Sequence, residues 1–282
     1  MTALPGETWP RNTWIVGCGK MAGAMVEGWR RAGVDLSAVI AIRPSGQEVD
    51  GVRTLKELPA TGSPALVLLG VKPQKLDEVA PILAKRLNSN TILVSILAGV
   101  ELASLRARFP TAGQIIRAMP NLPVSEGRGI IAQFSDETFD GNPHDARSVT
   151  DALFAPLGTV VRTKNEAELA AIGSLAGAGP AYVARFVAAL AKAGVERGLD
   201  PALADAIALE TVLGTSAMAA ARDETMASIA HRVASPNGTT EAGLKILDAE
   251  LDRLVSQTLE AASRRGAELA KAARIDLTPP LA

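Results

Sequence analysis

The chain of 282 residues is long enough for two domains that each bury a core. Lys and Arg number 29 against 30 Asp and Glu, so no net charge favours a nucleic acid or an acidic membrane surface as a partner. The single cysteine excludes an internal disulfide and fits a reducing cytoplasm. Residues 1–11 lack the apolar core of a signal peptide, and no stretch is predicted to span a bilayer. We therefore expect a cytoplasmic protein with neither nucleic-acid nor membrane partners.

The N-terminal part of the sequence alternates predicted strands with predicted helices. Short apolar runs bounded by Gly and Pro predict strands at 13–16, 38–42, 65–70, 91–95, 114–118, 129–133 and 159–162. Helical segments follow the first strand and recur at 74–87 and 101–109. The pattern indicates an α/β fold, with an N-terminal Rossmann-type, doubly wound, mostly parallel sheet over residues 1–164.

Beyond residue 164 the strand signals end and Ala-rich helical periodicity replaces them. Helices are predicted at 166–175, 180–197, 201–221, 225–234 and 240–271. Asp200-Pro201 is a typical helix start, a capping side chain followed by proline in the first turn. Residues 165–282 are therefore predicted to form a C-terminal all-α domain. So small a helical lobe has little room for a core of its own, so we expect its apolar faces to pack against a second subunit, with a self-contained bundle as the alternative.

The first predicted strand ends in the turn Gly17-x-Gly19-x-x-Ala22, which indicates a dinucleotide site. Gly17 permits the tight turn, Gly19 lets a pyrophosphate approach the backbone, and Ala22 lets the helix pack near the strand. The free N–H groups of the helix start face the anion. Cys18 lies inside this turn, either as a small residue that fits or as a thiol made acidic by the helix N-terminus.

The end of the second predicted strand bears on which nucleotide binds. An NAD-selective site usually offers a carboxylate to the adenosine ribose there, whereas this strand runs into Arg43-Pro44-Ser45 without an acid. Arg43 can pair with a 2′-phosphate and Ser45 can donate a hydrogen bond to it. NADPH is therefore the predicted cofactor, with NADH possible. The alternative is that Arg43 is a solvated loop residue.

Several further segments have the composition of ligand-binding turns. The segments 70–74, 95–100 and 117–123 each end a predicted strand with small residues or proline, as expected for contact with the nicotinamide half of the cofactor or for ordinary strand-to-helix turns. In the helical lobe, 176–182 and 234–240 are predicted to interrupt helical runs. The second loop combines hydroxyls, a glycine and a helix start, which suits a carboxylate, although such loops also occur where nothing binds.

Taken in order, these motifs resemble the pyrroline-5-carboxylate reductase family over nearly the whole chain, from Trp14 to the helix after Thr240. The family's Gly-x-Gly-x-Met turn is matched at Gly17, Gly19 and Met21. Its remaining motifs are Val-Lys-Pro, Ser-Ile-x-Ala-Gly-Val, Arg-x-Met-Pro-Asn, Gly-Pro-Ala-Tyr and Ser-Pro-x-Gly-Thr-Thr, matched here at 71–73, 95–100, 117–121, 179–182 and 235–240.

The resemblance implies reduction of the cyclic imine 1-pyrroline-5-carboxylate to L-proline by NADPH or NADH. It implies an interlocked homodimer, often assembled into larger rings, with the active site between the Rossmann lobe and helices of two subunits. Thr240 would be catalytic and reach the ring nitrogen, and the substrate carboxylate would be held by Ser235, Gly238, Thr239 and Thr240. The expected cofactor-binding residues are Gly17, Gly19, Lys20, Met21, Arg43, Ser45, Val71, Lys72, Pro73, Ala98, Met119 and Asn121.

No metal is expected, because the two histidines, His144 and His231, and the single cysteine have no clustered spacing. His144 lies in a polar run that predicts a solvated loop, and His231 lies on a predicted helix with no role in the family pattern.

Some positions depart from the family pattern and leave the substrate open. Ala176 and Ala178 replace two serines, each able to contribute a hydrogen bond worth about 0.5–1.5 kcal/mol. Leu122 stands where the family often has Thr, and Asn237 replaces a glycine in a position that Asn tolerates. The alternatives are a related NADPH-dependent reductase of another cyclic imine and a non-catalytic nucleotide-binding dimer. A hydroxy-acid dehydrogenase would need a lysine on the first interdomain helix, and 166–178 has none.

Overall fold

A computed structural model describes residues 10, 12–135 and 146–273, so that most of the segment 1–11 and His144 lie outside the described residues. The described residues form two compact units. One comprises residues up to Ala178 together with those from Ala262 onward, and the other is Gly179–Ala261. The functional boundary after residue 164 stays a prediction.

The first unit contains one eight-stranded sheet in the described part of the chain, which confirms the predicted mostly parallel, Rossmann-type fold. Its strand order is β3-β2-β1-β4-β5-β6-β7-β8. Every neighbouring pair is parallel except β6 and β7. Only the short segment 121–128 joins β6 to β7, whereas a parallel connection needs a crossover of a dozen or more residues. The strands are β1 Thr13–Val16, β2 Val39–Ile42, β3 Arg53–Leu55, β4 Leu66–Leu69, β5 Ile92–Ser95, β6 Gln114–Pro120, β7 Gly129–Phe134 and β8 Gly158–Arg162.

The edge strand β3 was not predicted from the sequence. It has only three residues, begins with an exposed arginine and is nowhere fully buried, so it has no apolar run. It pairs with β2 along Ile40 to Ile42. The ladder continues past the strand ends, because the amide of Arg43 donates to the carbonyl of Leu55 at 2.8 Å.

Helices cover both faces of the sheet, so the first unit has two cores. Along β4, Leu66 and Leu68 join one buried cluster, while Val67 and Leu69 join the other. This alternation is the two-residue period of a strand, with both faces buried because helices cover each of them. The helices of this part are α1 Lys20–Arg31, α2 Leu76–Ala84, α3 Leu102–Arg108 and α4 Ala146–Phe154.

The helix α5, Glu166–Ile172, continues into a π turn over Gly173–Gly177, and α6 begins at Gly179. At the interruption predicted over 176–182, the π turn ends at Gly177 and Ala178 forms a bend before α6 begins, so the regular α-helix is broken at the start of this segment but is helical again from Gly179. Pro180 cannot supply the N–H of a regular helical hydrogen bond, and a π turn just before it is one of the ways in which a helix accommodates such a residue.

The second unit is helical over its described residues and contains α6, α7, α8 and most of α9. Its helices are α6 Gly179–Val195, α7 Pro201–Arg222, α8 Met226–Val233 and α9 Thr239–Ala273. By length and composition, Glu166–Val195 and Pro201–Arg222 are apolar enough to cross a membrane. The prediction that no stretch reaches this threshold was therefore wrong, because many Ala residues, together with Leu, Val and Ile and few charges, raise the mean hydropathy of these helices.

Candidate functional site

The glycine turn after β1 packs directly against the Val-Lys-Pro turn after β4. Gly17 has φ +87°, and a Cβ atom there would lie 2.6 Å from the amide nitrogen of Val71 and 2.7 Å from its Cα. Any side chain at position 17 is therefore excluded both by the backbone conformation and by space. Lys72 is exposed, and Pro73 opens a short 3₁₀ turn leading into α2.

The start of α1 is open on the side where an anion would approach. Gly19 is the N-cap residue, no side chain caps this helix end, and a Cβ atom built on Gly19 would meet no atom within 4 Å. The first-turn N–H groups lack intrahelical acceptors, and the helix dipole favours negative charge there. The neighbouring Lys20 is exposed, and Met21 packs against the core. The turn therefore fits the pyrophosphate of a dinucleotide.

Cys18 is a small buried residue rather than an acidic thiol. It is 3% exposed, and burial raises the pKa of its thiol, an effect that the charge of Arg43 only partly offsets. The alternative of a thiol made acidic by the helix N-terminus was therefore wrong, because desolvation of the thiolate outweighs the favourable charges.

The segment 43–47 after β2 forms a compact turn. The amide of Gly46 donates to the carbonyl of Arg43 at 2.9 Å, and the amide of Gln47 donates to Ser45 Oγ at 3.3 Å. Arg43 Nη2 donates to Gln47 Oε1 at 2.9 Å, and within the described residues no carboxylate forms an ion pair with Arg43. Its positive charge is thus bonded to a neutral amide and stays available to an anion.

The turns after β5 and β6 hold the remaining predicted cofactor residues. Ala98 is exposed, and Met119 is half-buried beside Gly173 of the π turn. Asn121 is 6% exposed, its Nδ2 donates to the carbonyl of Ala176 at 3.0 Å, and its Oδ1 accepts from the amide of Ile130 at 2.8 Å. The Asn121 side chain therefore links the end of β6 to the π turn, and these two hydrogen bonds fix its orientation.

An ion pair that the sequence did not predict lies at the same edge of the sheet. Arg117, 7% exposed, donates from Nη1 to Glu166 Oε1 at 2.5 Å, and the amide of Leu102 donates to the same oxygen at 2.8 Å. One carboxylate therefore joins β6 and the first turns of α3 and α5. The available signal was the arginine itself, because a charged residue in a buried strand needs a partner.

In the second unit, the loop between α8 and α9 brings the predicted substrate residues together. The amide of Gly238 donates to the carbonyl of Ser235 at 2.9 Å, and a Cβ atom on Gly238 would collide with Ser235 Oγ. Asn237 has φ +57°, the conformation expected where Asn replaces a glycine. Thr239 and Thr240 form the first turn of α9, where N–H groups lack intrahelical acceptors.

A carboxylate of the chain already binds at this helix start. The amide of Asn237 donates to Glu241 Oε2 at 2.5 Å, and Lys245 Nζ lies 3.0 Å from Glu241 Oε1. The hydrogen bond from Lys245, followed by that from Asn237, holds the pKa of Glu241 below its usual value. Glu241 thus caps the start of α9 from its first turn, as in the carboxylate half of a capping box although Gly238 stands where that motif has Ser or Thr, and this contact was not predicted from the sequence.

Comparisons with known proteins identify the family. Residues 166–269 match the model described as pyrroline-5-carboxylate reductase dimerisation, and residues 13–99 match one described as NADP oxidoreductase coenzyme F420-dependent. A pyrroline-5-carboxylate reductase of Pseudomonas aeruginosa is 32% identical over 91% of this chain and 96% of its own length. One from Synechocystis is 37% identical over 86% of this chain and 85% of its own. The chain belongs to the pyrroline-5-carboxylate reductase family.

The fold agrees with a solved member of this family. The structure of a pyrroline-5-carboxylate reductase from Coxiella burnetii superimposes with a TM-score of 0.82 at 29% identity, over 93% of this chain and 99% of that one. The predicted resemblance to the pyrroline-5-carboxylate reductase family is thereby confirmed, together with the helical C-terminal part that carries the family's dimerisation domain.

The departures from the family pattern at Ala176 and Ala178 lie in and just after the π turn. Both residues are half-buried, and Ala176 contributes its carbonyl to the hydrogen bond from Asn121. The hydrogen bond from Asn121 to the backbone carbonyl of residue 176 is therefore retained, whereas the two serine hydroxyls of the reductase family's motif are lost.

In the part of the chain that the structure describes, no group of three or more His, Cys, Asp or Glu could hold a metal. His231 is exposed on α8.

Proposed function

We propose that the protein reduces 1-pyrroline-5-carboxylate to L-proline with NADPH, the last step of proline biosynthesis, as a cytoplasmic homodimer, with NADH as a weaker substitute. The observation that carries the proposal is the presence of two half-sites in one reductase-family chain. An uncapped helix start after a glycine turn suits a dinucleotide, and the loop of Ser235–Thr240 suits a small carboxylate.

Within the proposed site, the nucleotide half is held by three groups of residues. Gly17, Gly19, Lys20 and Met21 receive the pyrophosphate, and Arg43 and Ser45 receive the 2′-phosphate. Contacts to the nicotinamide half come from Val71, Lys72, Pro73, Ala98, Met119 and Asn121. When bound, the reduced nicotinamide supplies the hydride for the imine carbon.

The substrate half holds and orients the imine. Ser235, Gly238, Thr239 and Thr240 bind the substrate carboxylate through hydroxyls and helix-start N–H groups. The cyclic imine is basic enough to be partly protonated near neutral pH, and its iminium form is already the electrophile. The site therefore has to supply position more than acid catalysis. The Thr240 hydroxyl accepts the hydrogen bond from the iminium N–H, and after hydride transfer it relays a proton from water to the amine nitrogen of the product.

The proposed homodimer is supported by the apolar surface of the helical unit. Large side chains such as Phe186, Leu203 and Ile207 are exposed in the single chain, and contiguous apolar surface of this kind marks an interface. We also propose that dimers associate into a larger ring through this apolar surface. Ala176 and Ala178 favour a second candidate, an NADPH-dependent reductase of a different cyclic imine, because they remove hydroxyls from a family motif.

The test is an assay of purified protein with a panel of cyclic imines, following loss of the absorbance of reduced cofactor. Turnover of the five-membered imine carboxylate with NADPH, exceeding that with NADH, is the expected result. Turnover of other cyclic imines alone would establish the second candidate. Absence of turnover with the whole panel, despite nucleotide binding, would instead establish the non-catalytic nucleotide-binding dimer.

Variants of the substrate loop test the assigned roles. Thr240→Ala should reduce kcat by about a hundredfold, because it removes the proton relay. Ser235→Ala should raise KM about tenfold, because it removes one hydrogen bond to a charged group. Equal and negligible effects of the two substitutions would refute the assignment of this loop.

A further inference from the structure

Lys56 stands beside the 43–47 turn although it is distant in sequence. It follows β3, and the hydrogen bond from the Arg43 amide to the Leu55 carbonyl, at 2.8 Å, extends the pairing of β2 and β3 to this point. The carboxyl ends of these two parallel strands meet at one edge of the sheet. The first residue after β3 therefore emerges next to the turn that begins at Arg43.

The stem of Lys56 lies across Gly46. A Cβ atom built on Gly46 would be 2.5 Å from Lys56 Cε, 3.3 Å from its Cγ and 3.4 Å from its Cδ. Gly46 also has φ +67°, a conformation that a residue with a side chain rarely adopts. The glycine therefore leaves the space that the lysine stem fills, and the ammonium, one bond beyond Cε, is held at the turn.

Arg43 and Lys56 therefore lie at the same turn, and neither forms an ion pair with a carboxylate among the described residues. Arg43 bonds the neutral amide of Gln47, and within the described residues Lys56 forms no ion pair. Lys56 is exposed, so its ammonium is accessible from solvent. Two like charges on neighbouring segments repel each other, and an anion bound between them offsets this repulsion because it attracts both cations. The hydroxyl of Ser45 adds a donor at the same turn.

We propose that Lys56 is a second cation for the 2′-phosphate of NADPH, acting together with Arg43 and Ser45 as a determinant of the preference for NADPH over NADH. The identity of the ligand as a dinucleotide rests on the proposed function. A phosphate monoester on the ribose carries close to two negative charges at neutral pH, so two cations match it better than one. NADH presents a hydroxyl at that position and gains nothing from either cation.

The test measures equilibrium binding with the full-length protein. Dissociation constants for NADP⁺ and NAD⁺ are determined by isothermal titration calorimetry for the wild type and for Lys56→Gln. We expect the substitution to weaken NADP⁺ binding about tenfold, the effect of one lost hydrogen bond to a charged group, and to change NAD⁺ binding less than twofold. Lys56→Arg, which keeps the charge, should retain most of the preference for NADP⁺.

Two comparisons make the result specific. Lys85→Gln removes another exposed lysine, at the C-terminal end of α2 and so at the opposite edge of the sheet, and should leave both affinities unchanged. Adenosine 2′,5′-bisphosphate, which lacks the nicotinamide half, should lose affinity for Lys56→Gln as NADP⁺ does. Equal weakening of NADP⁺ and NAD⁺, or of neither, would overturn the role of Lys56.

Failure of this inference and failure of the proposed function have different signatures. A wild-type protein that reduces the imine, with a cofactor preference unchanged in Lys56→Gln, refutes only the role of Lys56. A protein that reduces no imine but loses NADP⁺ affinity in Lys56→Gln refutes only the proposed reaction.

Discussion

The two compact units differ in how their apolar residues are used. In the sheet unit, every residue of β1 and β4 is buried, and the rings of Trp14, Trp29, Phe109 and Phe154 are fully enclosed. In the helical unit, the buried cluster consists of Ala191, Ala204 and Ala208, with Val187 packed against it. A high apolar content therefore produces a core in one region and an uncovered surface in the other.

The difference follows from the size of the side chains at the helix contacts. Alanines let α6 and α7 approach closely, but they bury little area, and many of the larger apolar side chains of the helical unit are exposed. The large apolar side chains left exposed in the helical unit include Val183, Phe186, Leu190, Leu203, Ile207, Leu209, Leu213, Ile246, Leu251, Leu254 and Val255. Most of the large apolar residues of the sheet unit are buried within one chain, whereas those of the helical unit stay exposed, which is the reason for proposing that a second copy covers them.

The largest expected difference between the two units is the loss of stability when a large apolar side chain is truncated. Phe109→Ala leaves a cavity in the sheet unit and should lower the free energy of unfolding by about 3–5 kcal/mol, independently of protein concentration. Phe186→Ala is the matched control, because this ring is 42% exposed in the single chain. Its effect should be smaller and should depend on concentration through the dimer. Urea unfolding at two concentrations measures both, and equal losses would contradict the comparison.

Charges placed on the exposed helical surface should break the proposed dimer. Leu203 and Ile207 are 50% and 48% exposed and lie one turn apart on α7. Leu203→Asp combined with Ile207→Asp should raise the dimer dissociation constant about a hundredfold or more, because two apolar side chains are lost from the interface. Analytical ultracentrifugation measures this change, and NADP⁺ binding should persist because its site lies in the sheet unit.

The control on the same helix is Asp205→Lys, which changes a charge at an exposed polar position and should leave the dimer intact. An unchanged dissociation constant for the double variant would mean that α7 does not form the interface.

Loss of the Glu166 carboxylate should have an intermediate effect on the sheet unit. Glu166→Gln leaves the buried Arg117 without its counter-charge and should lower the free energy of unfolding by about 1–3 kcal/mol. Glu126→Gln, which breaks an ion pair with Arg31 that is more than half exposed, should cost at most about 1 kcal/mol. Chemical denaturation of both variants measures the two values, and similar losses would show that the Arg117 pair has no special role.

The smallest expected effect is the pH dependence of the cap at the start of α9. Because the pKa of Glu241 is lowered in the folded chain, its ionised form stabilises the helix start above the usual value of 4.5, and this contribution is lost as the pH falls through the lowered pKa. The Tm of the wild type should therefore exceed that of Glu241→Gln at pH 7, and the difference should shrink progressively as the pH is lowered below 4.5. A difference that is constant with pH would contradict this role.

Much of the candidate site could be predicted because its signals are local. The turn of Gly17 and Gly19, the loop of Ser235–Thr240 and the missing acid at Arg43 are patterns within a few residues, and short apolar runs locate most strands. The edge strand Arg53–Leu55 has no such pattern. It has only three residues, of which the first is exposed and the other two are half-buried, so it contains no apolar run. For the same reason the lysine that follows it could not be assigned to the nucleotide site.

The sequence by itself determined the family, most of the order of strands and helices, and the residue types that the chemistry needs. Only the tertiary structure decided which distant residues meet: Arg117 with Glu166, 49 positions apart, Asn121 with the π turn, and Lys56 with Gly46. The physical reason is range. Backbone propensity and apolar periodicity act between near neighbours in the chain, whereas ion pairs, close packing and burial depend on segments that only folding brings together.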